Sequence, residues 1–344
     1  MRTNLLPVTP ESLERAGELI RAGELVAFPT ETVYGLGANA LDERAVKSIF
    51  EAKGRPGDNP LIVHISAIEQ LAPLIRVAPS EKAWALMDAC WPGPMTLIFP
   101  KSDAVPMAVT AGLDSVAIRF PAHPAARALI DAAQRPIAAP SANRSGRPSP
   151  TTAGHVMEDM DRRIPLILDG GPCAVGLEST VIDMTGDIPR ILRPGGVTPE
   201  RVAEICGGVR VDDAVLRPLK DGERPRSPGM KYRHYAPKGQ LTIVRGEPKA
   251  VVNKIKSLYD EALSRGQKPL ILALSPHIPE YAPRQTISLG EDAAGMAHAL
   301  FNALRDADAL GAEVLFSEAV PNDGVGLAVM NRLSRAAAFH IVEV

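Results

Sequence analysis

The 344-residue sequence contains few aromatic side chains and few cysteines. Aromatic residues make up 4% of the chain, so its cores must consist mainly of aliphatic side chains and alanine. The three cysteines, Cys90, Cys173 and Cys206, are too few and too scattered for a disulfide framework or a C-x-x-C metal site. No signal peptide is visible, and no uncharged apolar run approaches the roughly 18 residues of a membrane span. These absences predict a reduced, cytoplasmic protein.

The charge of the chain is nearly balanced, with 38 Lys and Arg against 40 Asp and Glu. This balance excludes a strongly basic surface that binds nucleic acid everywhere, although it leaves room for a local basic patch. The sequence motifs of P-loop nucleotide binding, zinc proteases, α/β-hydrolases and protein kinases are also absent. The seven histidines are spread along the chain without ligand spacing, so we predict no tightly bound metal.

Proline is abundant, with 32 residues, about twice the usual share of roughly 5%. Many prolines end apolar runs, which indicates strand ends because proline cannot donate to a sheet ladder. Up to residue 207 the candidate strands and helices do not alternate strictly, which predicts a mixed α/β sheet with flanking helices. Residues 208–238 form a locally basic linker. Residues 239–344 alternate strand and helix regularly, which predicts a smaller parallel α/β domain of the Rossmann-like kind.

Candidate binding residues lie in polar segments at the ends of predicted strands. Pro29–Gly37 contains hydroxyls, a carboxylate and two glycines, and by itself is also compatible with an ordinary turn. Lys53–Leu61 begins with two cations that suit phosphate oxygens, but cations at a helix end also offset the helix dipole. Pro140–Ser149 offers hydroxyl and amide groups, or is a solvated loop. Arg119 lies in an apolar run and needs either a substrate carboxylate or an internal ion pair.

Taken together, these segments occur in the order and context of YrdC-like domains. The chain resembles the long, two-domain type of the threonylcarbamoyl-AMP synthase family. The segments that carry the resemblance also include Leu177–Thr180, Arg193–Gly195, the linker segment Ser227–Pro237 and, near the end, Gly324–Leu333. The resemblance implies a YrdC-like catalytic domain with a twisted mixed sheet over residues 1–207. It further implies a lid loop over 208–238 and a Rossmann-like domain over 239–344.

The resemblance implies a nucleotidyltransferase that joins L-threonine, bicarbonate and ATP into threonylcarbamoyl-AMP and releases pyrophosphate. The product serves the threonylcarbamoyladenosine modification of tRNA next to the anticodon. The implied partners are therefore the downstream tRNA threonylcarbamoyl transferase and, through weak contact, tRNA, with no membrane. Magnesium is expected to arrive with ATP, because Mg²⁺ commonly binds through phosphates.

The resemblance also implies which residues bind the substrates, and none of them is expected to act as a covalent catalyst or to bind a metal. Lys53 and Arg55 are expected to position the phosphates of ATP. The full set expected to bind ATP is Lys53, Arg55, Asn59, Ser115, Ser141, Asn143, Ser149, Arg193, Tyr232, His234 and Tyr235. The set expected to bind L-threonine is Thr32, His64, Arg119, Ala139 and Ser179, with Arg119 on the carboxylate. The role of Glu31 stays open.

Two other functions are compatible with parts of the sequence. An RNA-binding module without ATP chemistry would use the basic linker and a YrdC-like surface, but the formal charge of -2 argues against RNA binding as the main activity. A carbamoyl-transfer enzyme of hydrogenase maturation also contains a YrdC-like domain. Those enzymes carry Cys-rich zinc fingers, which three scattered cysteines exclude.

Overall fold

The computed structural model describes residues 2–215, 217 and 235–344, which divide into two compact units. The first unit contains the described residues up to Ser145 and from Ser149 to residue 217. The second unit contains Gly146–Pro148 and the described residues from Tyr235 onward. Of the linker residues expected to contact ATP, Tyr232 and His234 lie outside the described residues.

Except for α4 (Met107–Thr110), the α-helices of the first unit begin at side chains that accept backbone N–H groups. Asp42 precedes α2 (Glu43–Lys53) and accepts from the amides of Arg44 and Ala45. Gly54 follows that helix and has a φ of 62° in the left-handed region. The helices are α1 (Pro10–Arg21), α2 (Glu43–Lys53), α3 (Glu81–Cys90), α4 (Met107–Thr110), α5 (Pro124–Ala133), α6 (Ala153–Met160) and α7 (Pro199–Cys206).

The strands of the first unit form a mixed sheet, as predicted. The strands are β1 (Asn4–Pro7), β2 (Val26–Phe28), β3 (Gly35–Asn39), β4 (Ile62–His64), β5 (Met95–Pro100), β6 (Ser115–Arg119), β7 (Ile137–Ala138), β8 (Leu166–Asp169), β9 (Thr180–Asp183), β10 (Arg190–Arg193) and β11 (Arg210–Val211). Their order in the sheet is β1-β8-β2-β3-β7-β4-β6-β5-β9-β10-β11, in which β4 and β6 are parallel and β7 and β5 run antiparallel to them.

The two faces of the central strands bury different side chains. Val63 and Ile118 belong to the main hydrophobic core of the first unit. Ile62 and Ala117, on the opposite face, belong to a separate small apolar cluster with Ile98, Val181 and Leu192. Because side chains alternate along a strand, Ser115 and Arg119 share the face of Ala117. We call this second face, defined by Ile62, Ile98, Ala117, Val181 and Leu192, the site face.

The second unit is a parallel α/β domain, as predicted. Its sheet order is β14-β13-β15-β12-β16, and every neighbouring pair is parallel. The strands are β12 (Gln240–Arg245), β13 (Pro269–Ala273), β14 (Thr286–Ser288), β15 (Val314–Glu318) and β16 (Ile341–Glu343). The helices are α8 (Pro248–Ser264), α9 (Ile278–Tyr281), α10 (Ala293–Ala309) and α11 (Gly324–Ala336). Within the described part of the chain, no helix combines the length and apolar character needed to cross a membrane.

Candidate functional site

Arg119 ends β6 on the site face, and its guanidinium joins two residues of the loop after β2. Its Nη1 donates to Thr32 Oγ1 at 2.9 Å, and its Nη2 forms an ion pair with Glu31 Oε1 at 2.6 Å. The sheet register pairs Arg119 with His64, the last residue of β4. Three of the five residues expected to bind threonine therefore lie together. Of the two partners predicted for Arg119, this structure contains the internal ion pair.

The loop after β2 is shaped by the hydroxyl of Thr30. This hydroxyl accepts from the amides of Thr32 and Val33 at 3.2 and 3.3 Å, and it donates to the carbonyl of Val33 at 2.7 Å. The carbonyl of Glu31 accepts from the amide of Val175 at 2.8 Å, which fastens the other side of the loop. These bonds fix the backbone that presents Thr32 and Glu31 to Arg119.

The charges of this group balance inside the protein. Burial raises the pKa of Glu31, but the positive charge and hydrogen bonding of Arg119 outweigh burial and hold that pKa below its usual value. Burial, together with the positive charge of Arg119, lowers the pKa of His64 to about 3. At neutral pH the group therefore contains one cation, one anion and a neutral imidazole.

Ser179 is the centre of a neighbouring group of hydrogen bonds. Its hydroxyl lies 2.7 Å from Thr96 Oγ1, and Arg193 donates to its carbonyl at 3.0 Å and to its hydroxyl at 3.1 Å. Thr96 is the register partner of Arg119 across β5 and β6, so the two groups adjoin along the sheet. The contact between Ser179 and Arg193 thus joins a residue expected to bind threonine to one expected to bind ATP.

Lys53 ends α2 and holds the loop after β7. Its Nζ donates to the carbonyls of Ser141 and Asn143 at 2.5 and 2.6 Å, and to Asn143 Oδ1 at 3.4 Å. The hydroxyl of Ser141 donates to the same Oδ1 at 2.5 Å. Burial, together with the positive charge of Arg55, lowers the pKa of Lys53. Three residues expected to bind ATP therefore form one connected group.

Asn59 is buried with an unsatisfied side chain. Neither its carboxamide nitrogen nor its oxygen has a hydrogen-bond partner among the described residues. Its backbone carbonyl accepts from Nη2 of Arg55 at 3.4 Å. A buried amide without partners costs about 1–3 kcal/mol, so such a group is typical of a site that a ligand completes.

The other described residues expected to bind ATP or threonine lie at separate places in the fold. Ser115 shares the site face with Arg119 but lies at the other end of β6, about 13 Å away at roughly 3.3 Å per residue. Ala139 donates its amide to the carbonyl of Ile62 at 2.9 Å, which places it beside β4. Ser149 donates to Glu178 Oε1 at 2.6 Å. Tyr235 belongs to the second unit, where its ring stacks on Phe301 with centroids 5.0 Å apart.

Three polar residues outside the predicted binding sets contribute to these groups. Thr96 and Glu178 are buried and bond directly to Ser179 and Ser149. Glu31 was noticed without a role, and the structure pairs it with Arg119. Thr96 could have been identified from the sequence, since its hydroxyl lies inside an apolar strand. A buried polar group of this kind needs a hydrogen-bond partner.

Two family models match the chain. The model described as "Telomere recombination" matches residues 18–195, and the model described as "Threonylcarbamoyl-AMP synthase, C-terminal domain" matches residues 197–338.

Full-length relatives and solved structures are similar to the chain as well. The threonylcarbamoyl-AMP synthase of Pyrococcus abyssi is 49% identical over 96% of this chain and 95% of the relative. That of Bacillus subtilis is 48% identical over 99% of this chain and 97% of the relative. The crystal structure of P. abyssi Sua5 complexed with L-threonine superposes with a TM-score of 0.95 and 47% identity, covering 99% of this chain and 100% of that one.

Proposed function

The chain belongs to the threonylcarbamoyl-AMP synthase family, and on this premise we propose that it joins L-threonine, bicarbonate and ATP into threonylcarbamoyl-AMP and releases pyrophosphate. The observation that carries the proposal is the buried group of Arg119, Thr32 and His64 on the site face, in a chain similar to synthases over nearly its full length. The alternative of an RNA-binding module is not favoured, because the full-length relatives are named as synthases.

The amino-acid end of the proposed site recognises a zwitterion by charge and hydrogen bonds. The guanidinium of Arg119 binds the carboxylate of threonine. The neutral imidazole of His64, the hydroxyls of Thr32 and Ser179 and the backbone at Ala139 hold the rest of the molecule. A neutral His64 places no second positive charge beside the threonine amine, which must be deprotonated to react.

The proposed reaction needs no covalent bond to the protein. The amine of threonine attacks bicarbonate, and loss of water leaves a carbamate. A carbamate oxygen then attacks the α-phosphorus of ATP, and the bond from that phosphorus to the bridging oxygen of pyrophosphate breaks. Positioning of the three substrates and stabilisation of phosphate charge supply the rate enhancement.

The ATP end of the proposed site uses hydroxyl, amide and cationic groups from several loops. The proposed set is Lys53, Arg55, Asn59, Ser115, Ser141, Asn143, Ser149, Arg193 and Tyr235, with Tyr232 and His234 from beyond the described residues. The unsatisfied carboxamide of Asn59 supports a ligand here. Among the described residues, no three His, Cys, Asp or Glu side chains are grouped to hold a metal. We therefore propose that Mg²⁺ is held mainly by the phosphates of ATP and neutralises their charge.

The partners and the domain division complete the proposal. The product is a labile mixed anhydride, so a tRNA threonylcarbamoyl transferase must accept it, and tRNA contact by this chain is at most weak. We propose a YrdC-like catalytic domain over 1–207, a lid loop over 208–238 and a C-terminal domain over 239–344. The free cysteines and the use of ATP support the proposal of a cytoplasmic location.

The proposal is tested by pyrophosphate release from ATP with threonine and bicarbonate omitted in turn. Release that requires both compounds is the expected result. ATP cleavage that is indifferent to threonine contradicts the synthase function. RNA binding that weakens with salt, without any ATP cleavage, would favour the binding module instead.

A further inference from the structure

The side chain of Lys53 is turned into the protein, and 3% of the residue is exposed. An ammonium group has three N–H donors. The structure supplies three acceptors for them: the carbonyl oxygens of Ser141 and Asn143, and Asn143 Oδ1. All the donors of Lys53 therefore have protein partners, and none is left for a phosphate oxygen.

The backbone of Lys53 holds the same loop. Its carbonyl accepts from the amide of Ser145 at 3.0 Å. The segment Ser141–Ser145 forms neither helix nor strand, apart from an isolated bridge between Ser141 and Gly35. We call this segment the Ser141 loop. Lys53 fastens it from both sides, through its side chain at one end and its carbonyl at the other.

We propose that Lys53 is a positioning residue, which fixes the Ser141 loop in the shape that binds ATP and does not itself touch the phosphates. This inference rests on the proposed synthase function. It removes Lys53 from the set of residues proposed to contact ATP directly, and it gives the two cations of the Lys53–Leu61 segment different roles. Arg55, half-buried at the start of the next loop, remains the cation for ATP, while Lys53 acts through Ser141 and Asn143.

Substitution by arginine separates positioning from direct phosphate binding. Arginine keeps the positive charge, but its planar guanidinium cannot direct three donors to the oxygens that surround a compact ammonium. We expect K53R to weaken ATP affinity at least as much as K53M, by about tenfold or more, as measured by calorimetry. Recovery of wild-type affinity in K53R would overturn the proposal. The matched control is K47M, at an exposed position of the same helix, which is expected to leave ATP affinity within about twofold.

A double-mutant cycle tests the route of the effect. If Lys53 acts through Asn143, the variant K53M/N143A binds ATP about as weakly as the weaker single variant. The proposal would be contradicted if the losses of ATP binding free energy in the two single variants added fully in the double variant. Full additivity would show that each residue acts on ATP separately.

Hydrogen exchange gives a readout that does not depend on ATP. In K53M we expect the amide of Ser145 to exchange about tenfold faster, with little change in helices distant from the loop. Unchanged exchange at Ser145 would overturn the proposal. If K53M exchanges rapidly throughout, K53Q, which keeps two amide N–H donors, is the variant to measure. If wild-type protein released no pyrophosphate in a threonine-dependent way, the synthase function itself would be refuted. Hydrogen exchange at the amide of Ser145 would still test the positioning role of Lys53.

Discussion

At the scale of the residue, the ion pair of Arg119 and Glu31 joins the buried polar groups of the site. Their side chains are 5% and 11% exposed, so each charge depends on the other for solvation. A buried pair adds little stability beyond that of apolar replacements, but removing one partner leaves an uncompensated charge. The sequence suggested an internal partner for Arg119 but not which one, because Glu31 and Arg119 are 88 positions apart and meet where the loop after β2 contacts the end of β6.

We expect E31Q to destabilise the first unit by about 3 kcal/mol, which lowers its melting temperature by about 6–12 °C. The physical reason is the charge of Arg119, which E31Q leaves buried without its anion. The double variant E31Q/R119M removes both charges and is expected to melt above E31Q alone, as followed by circular dichroism. A double variant that melts lower than E31Q would show that charge compensation is not the cause.

The lowered pKa of His64 predicts how the stability of the fold depends on pH. In the unfolded chain its imidazole binds a proton below about pH 6.5, whereas the folded protein resists protonation until the pH approaches about 3. The unfolded state therefore binds more protons between these pH values, and stability falls as the pH falls. We expect the melting temperature of H64N to fall less than that of wild type between pH 7 and pH 4. Equal losses in the two proteins would show that His64 is not the titrating group.

At the scale of the element, α2 and the alternation of the second unit follow directly from local sequence. Asp42 and Gly54 mark the two ends of α2, because aspartate caps the first turn of a helix and glycine readily takes the left-handed conformation after the last. Strand β3 was not predicted, because a Gly-Leu-Gly stretch resembles a turn. Gly37 is required by packing, because a Cβ there would lie 2.8 Å from Ile137 Cγ2 and 2.9 Å from Phe28 Cε1. Such a requirement depends on neighbouring strands and cannot be read locally.

The packing around β3 gives a stability prediction. We expect G37A to destabilise the first unit by about 1–3 kcal/mol, because the added methyl group overlaps two fully buried side chains. The matched control is G186A, where a Cβ meets no atom within 4 Å, and little change is expected. Thermal melting of the two variants side by side tests this, and equal melting temperatures would refute the packing argument.

At the scale of the whole molecule, the sequence predicted a mixed α/β unit followed by a parallel α/β unit, and both are confirmed. The order in which candidate strands and helices follow one another along the chain led to these sheet types. The binding residues came from the resemblance, and their individual roles stay predictions. What the sequence could not supply is the set of contacts between distant segments, such as Thr96 with Ser179 or Lys53 with Asn143. These contacts depend on strand register and loop shape, which no local pattern determines.

The proposed activity requires one chain to join three substrates into a single product. This claim can be tested by mass spectrometry of a reaction containing ATP, L-threonine and ¹³C-bicarbonate. We expect threonylcarbamoyl-AMP whose mass carries one ¹³C atom, formed together with pyrophosphate. AMP and pyrophosphate without a labelled adduct, under conditions in which the intermediate survives, would contradict the claim.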